Sequence, residues 1–194
     1  MTAIRSLGVM CGSRLGNDAA YREAAIRLGV LMAARGVRLI YGGGSIGLMG
    51  VIADAVLANG GHVIGIIPDF LMKYEIGHHR LTELVITGSL QDRKRRMFEM
   101  ADGFVILPGG LGTLDEAFEI VTWKQLRLHE APMVVLDVAG YWAPFRVLID
   151  AVVAAGFAHP AVTELFTMVT SADEVLPALE SAPAPQDVVL TSHL

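Results

Sequence analysis

Short apolar runs alternate along this chain with longer runs in which the apolar positions repeat at a helical period. A short apolar run between turn residues predicts a buried strand, and a run of helical period predicts an amphipathic helix. Strands are predicted at residues 7–11, 37–41, 62–67, 103–107, 133–137 and 167–169. Helices are predicted at about 18–35, 48–59, 89–101, 113–128 and 144–155, with a last one from residue 171.

This alternation predicts the fold class. Strands separated by helices of this length form a parallel sheet, because each crossover carries a helix back over one face. We expect a single Rossmann-like α/β domain over residues 1–180, a doubly wound parallel sheet with helices on both faces. Residues 68–84 are polar and irregular and look like a loop that covers another part of the molecule. Residues 181–194 are expected to form a flexible C-terminal tail.

The turns after the predicted strands are the candidate ligand-binding segments. Right-handed crossovers place every strand-to-helix turn at the same edge of a parallel sheet, and ligands bind outside the carboxyl ends of its strands. That edge collects Gly12 and Ser13, the turn at 42–47, the loop after Asp69, the turn at 108–116, and Arg93 and Lys94 in the first turn of the 89–101 helix.

The turn after the fourth predicted strand reads Pro-Gly-Gly-Leu-Gly-Thr-Leu-Asp-Glu. Gly109, Gly110 and Gly112 lack Cβ atoms, so the backbone there can approach a ligand closely. The first N–H groups of the following helix have no partner inside it, and the helix dipole makes that end positive. A phosphate group suits such a place, and the carboxylate of Glu116 then lies one turn further along the helix.

The same letters have a purely structural interpretation. Residues 113–116 match the capping box, in which Thr113 caps the helix and Glu116 bonds back to the backbone of Thr113. A helix cap does not require the three preceding glycines, so both interpretations stay open at this point.

The earlier turn at 42–47 matches the dinucleotide-binding pattern G-x-G-x-x-G between a strand and a helix. Asp69 follows roughly 20 residues later, where such folds hold a ribose-binding acid, so a nicotinamide-dependent enzyme is one alternative. That fingerprint normally follows the first strand, whereas this turn follows the second. The simplest alternative is that the glycines only let a helix pack closely on the sheet. Neither glycine turn carries the G-K-[ST] sequence of a P-loop.

Residues 93–96 are a run of four cations, Arg93-Lys94-Arg95-Arg96. Such a run is usually a solvated helix face, in which Arg95 could pair with Glu99 one turn on. Four consecutive residues span the circumference of a helix, so at least one of them faces the sheet or the ligand edge. Periodicity leaves open which one.

Composition narrows the function classes. The chain of 194 residues is 53% hydrophobic with a net charge of −5, which is typical of an ordered protein and argues against nucleic-acid binding. No apolar run approaches the ~20 residues of a membrane helix and no signal peptide is recognised, so we expect no membrane contact and a cytoplasmic location. The single cysteine, Cys11, excludes an internal disulfide and is expected to be a packing residue. The histidines show no metal-ligand spacing, and His78 and His79 are expected in a solvated loop.

Taken together, these segments resemble the Lonely Guy family of cytokinin riboside 5′-monophosphate phosphoribohydrolases. The resemblance rests on residues 41–50, 65–68 and 108–116, on Arg93-Lys94, and on Glu119, Thr122-Trp123, Gln125 and Gly140-Tyr141. The family commonly reads Met-His-x-Arg-Lys at this point, whereas residues 90–94 of this chain read Leu-Gln-Asp-Arg-Lys. Gln91 thus stands where the family has a histidine.

The resemblance implies hydrolysis of the N-glycosidic bond of AMP or of N6-substituted nucleoside 5′-monophosphates, which releases the free base and ribose 5-phosphate. It implies catalytic roles for Arg93 and Glu116, no cofactor, no metal and a homodimer. It places substrate and phosphate contacts on Gly43, Gly44, Lys94, Gly109, Gly110, Gly112 and Thr113. The alternatives are the nicotinamide-dependent oxidoreductase and a non-catalytic nucleotide carrier, the latter favoured if Glu116 is only a cap.

Overall fold

The computed structural model describes residues 4–73 and 77–182. Its seven strands form one parallel sheet of order β4-β3-β2-β1-β5-β6-β7. The strands are β1 Ser6–Met10, β2 Arg38–Tyr41, β3 Val63–Pro68, β4 Glu83–Thr87, β5 Gly103–Ile106, β6 Met133–Leu136 and β7 Thr167–Val169. The helices are α1 Ala19–Ala34, α2 Gly47–Ala58, α3 Leu90–Met100, α4 Leu111–Gln125, α5 Ala143–Ala154 and α6 Ala172–Ser181. The Rossmann-like fold class is therefore confirmed.

Neighbouring residues of each central strand face opposite layers of the core. Val9 of β1 packs with the apolar sides of α1, α2 and α6 on one face of the sheet. Met10, the next residue, packs with α3, α4 and α5 on the other face. A sheet that is buried on both faces reads as a continuous apolar run, which is why the central strands were predictable.

The strand β4 was not predicted, and the loop expected at 68–84 overlaps its start. Glu83–Thr87 pairs in parallel with β3 along its whole length and forms one edge of the sheet. Its residues Glu83 and Ile86 are exposed, so it lacks the continuous burial of the inner strands. The prediction was wrong because a short edge strand carries a weaker apolar signal than a central one.

The order of the strands changes direction at β1, which lies in the middle of the sheet. From β1 the chain adds β2, β3 and β4 on one side, and then returns to add β5, β6 and β7 on the other. The crossing from one side to the other leaves a crevice between the carboxyl ends of β1 and β5, where doubly wound folds bind ligands. The Gly12 and Pro108 turns flank this crevice and are joined by a hydrogen bond from Gly12 N to Pro108 O of 3.0 Å.

Within residues 4–73 and 77–182, no helix has the length and apolar character needed to cross a membrane. The helix α6 ends at Ser181, and the predicted tail from residue 183 onward lies outside the described residues.

Lys124 is a buried cation on α4, with only 5% of its surface exposed. Burial lowers the pKa of its ammonium group from 10.5 to about 8. The folded chain therefore binds this proton more weakly than the unfolded chain, and stability rises with pH between about 8 and 10.5. We expect Lys124→Met to raise the free energy of unfolding at pH 7 by on the order of 2 kcal/mol and to abolish this rise.

Urea unfolding of the two proteins between pH 7 and pH 10.5 measures this difference. Arg96→Met is the matched control, because Arg96 is an exposed cation on the neighbouring helix and its loss should matter little. Burial lowers the pKa of His129, and the charge of Lys124 lowers it further, so the variant should show a higher pKa for His129 than the wild type in an NMR titration. A variant no more stable than the wild type at pH 7 would contradict the burial cost.

Candidate active site

Five of the sequence-predicted site residues line a cavity of about 170 Å³ at the carboxyl ends of β1, β2 and β5, namely Arg93, Gly110, Gly112, Thr113 and Glu116. The cavity brings together the first glycine turn, the first turn of α4 and one side chain from α3. Its lining residues are Val9, Met10, Cys11, Gly12, Ser13, Gly42, Met49, Arg93, Gly110, Leu111, Gly112, Thr113 and Glu116.

The helix α4 begins earlier than the sequence pattern predicted. Its N-cap is Gly110, and no side chain caps it. Thr113 therefore lies inside the first turn and is buried, so the capping-box interpretation of residues 113–116 is wrong. The uncapped first turn lines the cavity, and its N–H groups have no partners within the helix, so it can accept an anion there.

Gly109 is required by close packing within this turn. A Cβ atom at Gly109 would overlap Oγ1 of Thr113 and lie 2.9 Å from the backbone nitrogen of Gly12. The hydroxyl of Tyr141 donates a hydrogen bond of 2.5 Å to the carbonyl of Gly109. The turn is therefore held from both sides, by the loop after β1 and by Tyr141.

Arg93 is the cation that faces the sheet edge. Its Nε donates to the carbonyl of Ile66 at 3.1 Å, and its Nη2 donates to the carbonyl of Gly42 at 3.2 Å. These carbonyls lie in β3 and just after β2, so Arg93 joins α3 to two neighbouring strands. Arg95 and Arg96 are exposed and pair with Glu99, as the solvated-face interpretation predicted.

The third nitrogen of the Arg93 guanidinium, Nη1, lies 3.7 Å from Oε1 of Glu116. The two side chains are 11% and 13% exposed, so their charges are weakly screened by water. Beside them, burial raises the pKa of the Cys11 thiol, and the negative charge of Glu116 raises it further. Cys11 is therefore a neutral wall residue, as predicted, and not a nucleophile.

Gly42 has the tightest packing of the first glycine turn. A Cβ atom there would overlap Nη2 of Arg93, so only glycine leaves room for this guanidinium. Gly43 and Gly44, which the resemblance implied as contacts, do not line the cavity and instead pair with the 77–78 segment.

The turn at 42–47 offers no free helix end for a pyrophosphate. The N–H groups of Leu48 and Met49 donate to the carbonyl of Gly12 at 3.0 and 3.3 Å. A Cβ atom at Gly47 would overlap the backbone of Ser13, which supports the close-packing interpretation. Asp69 is exposed and accepts a bond from the N–H of Phe70. This geometry disfavours the nicotinamide alternative.

Lys94 joins α3 to α4 at the side of the site. Its Nζ lies 3.1 Å from Asp115 and 3.0 Å from Glu119. Burial alone would lower the pKa of Lys94, but the hydrogen bonds to Glu119 and Asp115 outweigh it, so the pKa is raised. Lys94 is thus a permanent cation, and its predicted role in phosphate binding stays a prediction.

A second, larger cleft of about 630 Å³ lies on the other side of the Gly110 turn, which sequence reasoning did not foresee. It shares Gly12, Ser13, Gly110 and Leu111 with the inner cavity. Its remaining walls include Arg14 and the rings of Tyr21 and Tyr141, which meet edge to face at 5.5 Å.

Among the described residues, no cluster of histidine, cysteine, aspartate or glutamate side chains has the form of a metal site.

These features define a Rossmann-like α/β protein whose candidate site lies at the switch point and combines an uncapped helix N-terminus with a largely buried arginine–glutamate pair. A family model described as "Possible lysine decarboxylase" matches residues 49–179. The chain is 43% identical over 172 residues to a cytokinin riboside 5′-monophosphate phosphoribohydrolase of Arabidopsis thaliana, covering 89% of this chain and 81% of that protein. It is 41% identical over 184 residues to a probable cytokinin riboside 5′-monophosphate phosphoribohydrolase of Oryza sativa subsp. japonica, covering 94% of this chain and 75% of that protein. The chain belongs to the Lonely Guy family, and the predicted resemblance is confirmed.

Solved structures share the fold at lower identity. The molybdenum cofactor binding protein from Rippkaea orientalis superimposes with a TM-score of 0.70 at 20% identity, covering 93% of this chain and 98% of that chain. The molybdenum cofactor carrier protein from Chlamydomonas reinhardtii gives a TM-score of 0.69 at 20% identity, with the same coverage. At such identity the likeness establishes the fold and leaves the ligand to the site itself.

Proposed function

We propose that this protein hydrolyses the N-glycosidic bond of AMP or of N6-substituted (cytokinin) nucleoside 5′-monophosphates. The single observation that supports this most is the largely buried Arg93–Glu116 pair, whose glutamate lies in the second turn of α4, just beyond its uncapped N-terminus. Its family relatives are named for the same reaction.

The 5′-phosphate would bind at the first turn of α4. Backbone N–H groups and the helix dipole favour a doubly charged anion there, and Gly110, Gly112 and Thr113 line that part of the cavity. Anchoring the phosphate would direct the ribose toward Glu116, further along the same helix. The rigid support of the turn by Tyr141 and Gly12 would help to fix this distance.

Cleavage of the bond from ribose to base builds positive charge on the sugar ring. The carboxylate of Glu116 would stabilise that charge and take a proton from the attacking water, whose oxygen forms the new bond to the anomeric carbon. The electron pair of the broken carbon–nitrogen bond would leave with the base, which takes up a proton from solvent. Arg93 is held by two main-chain carbonyls and directs Nη1 toward Glu116. It would orient the carboxylate toward the ribose, because the two carbonyls fix the position of the guanidinium.

A homodimer and a cytoplasmic location form part of the same proposal. The exposed apolar residues Leu90, Leu126 and Leu128 lie at the start of α3 and just beyond the end of α4 and would suit a subunit contact. Sedimentation of the purified protein tests the dimer.

The reaction itself is tested by incubating the protein with AMP and with N6-isopentenyl-AMP and measuring free base and ribose 5-phosphate. We expect equal amounts of the two products, with no added metal or cofactor. The nucleosides without phosphate are the matched control and should react far more slowly, because they lack the group that the helix end binds. Tight binding of AMP with no product would favour a nucleotide carrier instead.

A further inference from the structure

His78 is a buried histidine outside the catalytic cavity, with 5% of its surface exposed. It does not lie in a solvated loop as predicted, although its neighbour His79 is exposed. The Nδ1 atom of His78 accepts the N–H of Arg80 at 3.3 Å, so the ring proton belongs on Nε2. Nε2 then donates to Oδ1 of Asp54 on α2 at 3.1 Å. The ring is thus fixed on both sides in one tautomer.

The backbone of this segment clamps the first glycine turn. The N–H of His78 donates to the carbonyl of Gly43 at 3.2 Å, and Gly77 pairs with Gly44 in an antiparallel bridge. Three consecutive glycines have more conformational freedom than any other tripeptide, and Gly43 has a positive φ of 77°. Such a turn needs support from outside to keep one conformation.

The clamped turn also helps to hold the side chain of Arg93. The carbonyl of Gly42, next to the clamped Gly43, accepts the Nη2 bond of Arg93. A shift of the turn would therefore move one of the two carbonyls that hold the guanidinium, and with it the nitrogen that faces Glu116.

We propose that His78, anchored by Asp54, is a positioning residue that holds Arg93 through the Gly42–Gly44 turn. It does not touch the substrate, and its effect on turnover rests on the proposed function. The phosphate would bind at the first turn of α4, which the clamp does not contact. Loss of the clamp should therefore lower kcat and leave KM nearly unchanged.

The first experiment measures how firmly the side chain of Arg93 is held, independently of enzymatic activity. The Nε–H of Arg93 donates to a buried carbonyl, so its NMR signal should exchange slowly with solvent, and an Arg93→Lys sample assigns it. We expect His78→Leu and Asp54→Ala to speed this exchange at least about tenfold, because the hydrogen bond from Arg93 Nε would break more often. Asp54 is half exposed, so the second variant tests the clamp without disturbing the core.

Two controls separate the clamp from general loosening. Arg80→Gln removes the other partner of Asp54 from a side chain that is 77% exposed, and should leave the exchange unchanged. His78→Gln places an amide donor near the position of Nε2 and should restore most of the protection. If the Nε–H of Arg93 exchanges no faster in His78→Leu and Asp54→Ala than in Arg80→Gln, the proposal is overturned.

Kinetics complete the test. His78→Leu and Asp54→Ala should lower kcat about tenfold with KM within about twofold of the wild type, since small misplacements at an active site are costly. An active wild type whose variants keep full kcat overturns the positioning role. If the wild type hydrolyses no nucleotide, the proposed function is overturned. The exchange experiment then still decides whether His78 holds Arg93 in position.

Discussion

Replacing Glu116 by Gln is expected to lower kcat for AMP hydrolysis about a thousandfold, while the Kd for AMP changes by less than about threefold. The substitution keeps the size and shape of the side chain and removes its charge and its ability to accept a proton. It would therefore act on the transition state, in which positive charge has developed on the ribose, more than on the bound substrate.

The structure separates this effect from a loss of helix stability. Because the N-cap of α4 is Gly110, a change at Glu116 removes no side-chain cap. The start of α4 should therefore stay intact, while the loss of the charge that faces Arg93 lowers the free energy of unfolding. Thermal unfolding, AMP binding by calorimetry and single-turnover hydrolysis measure stability, ground-state binding and chemistry in turn.

Asp115→Asn is the matched control for this experiment. It makes the same chemical change at the preceding residue of α4, on a side chain that is 64% exposed and paired with Lys94. We expect it to keep nearly full kcat. Near-normal turnover by Glu116→Gln, or an equal loss in the two variants, would remove Glu116 from the reaction.

The fold was largely predictable from the sequence because most of its signals are local. Buried strands such as β5 are continuous apolar runs, and the helix predicted at 89–101 has a local cap at Ser89, whose side chain accepts the N–H of Asp92. The edge strand β4 was missed since only one of its five residues, Thr87, is fully buried.

The site was predictable only in part, because its decisive contacts join residues far apart in the chain. Residues 113–116 have the letters of a capping box, yet the helix starts at Leu111 and Gly109 packs closely against Thr113 and Gly12. The run of cations could not show that Arg93 alone bonds to the carbonyls of Gly42 and Ile66.

The burial of His78 was missed for a similar reason. Adjacent histidines in a polar segment are typical of a solvated loop, and nothing in their spacing indicates a partner. The partner is Asp54, on a helix that precedes the segment by a whole strand, and only the sheet topology brings the two together.

The second large effect is expected from a single methyl group. Gly42→Ala would place a Cβ atom where Nη2 of Arg93 now lies, and also 3.1 Å from the sulfur of Met49. The guanidinium of Arg93 must move, because the new Cβ atom is attached to the backbone and cannot move away. We expect kcat to fall about a hundredfold, which is typical of a displacement of about 1 Å at an active site.

Gly88→Ala provides the matched control for this variant. Gly88 lies between β4 and α3, close in sequence to Arg93, and a Cβ atom there meets no other atom within 4 Å. Its turnover should equal that of the wild type. Both variants keep the first turn of α4, so both should bind AMP with nearly the same Kd.

The comparison of Gly42→Ala with Arg93→Lys then shows what the arginine contributes. Lysine keeps the charge but cannot bond to two carbonyls and face Glu116 at the same time. If position matters more than charge, both variants should lose kcat to a similar degree. A Gly42→Ala enzyme with full activity would show that Glu116 works without an arginine held beside it, and the proposed mechanism would then lack its orienting group.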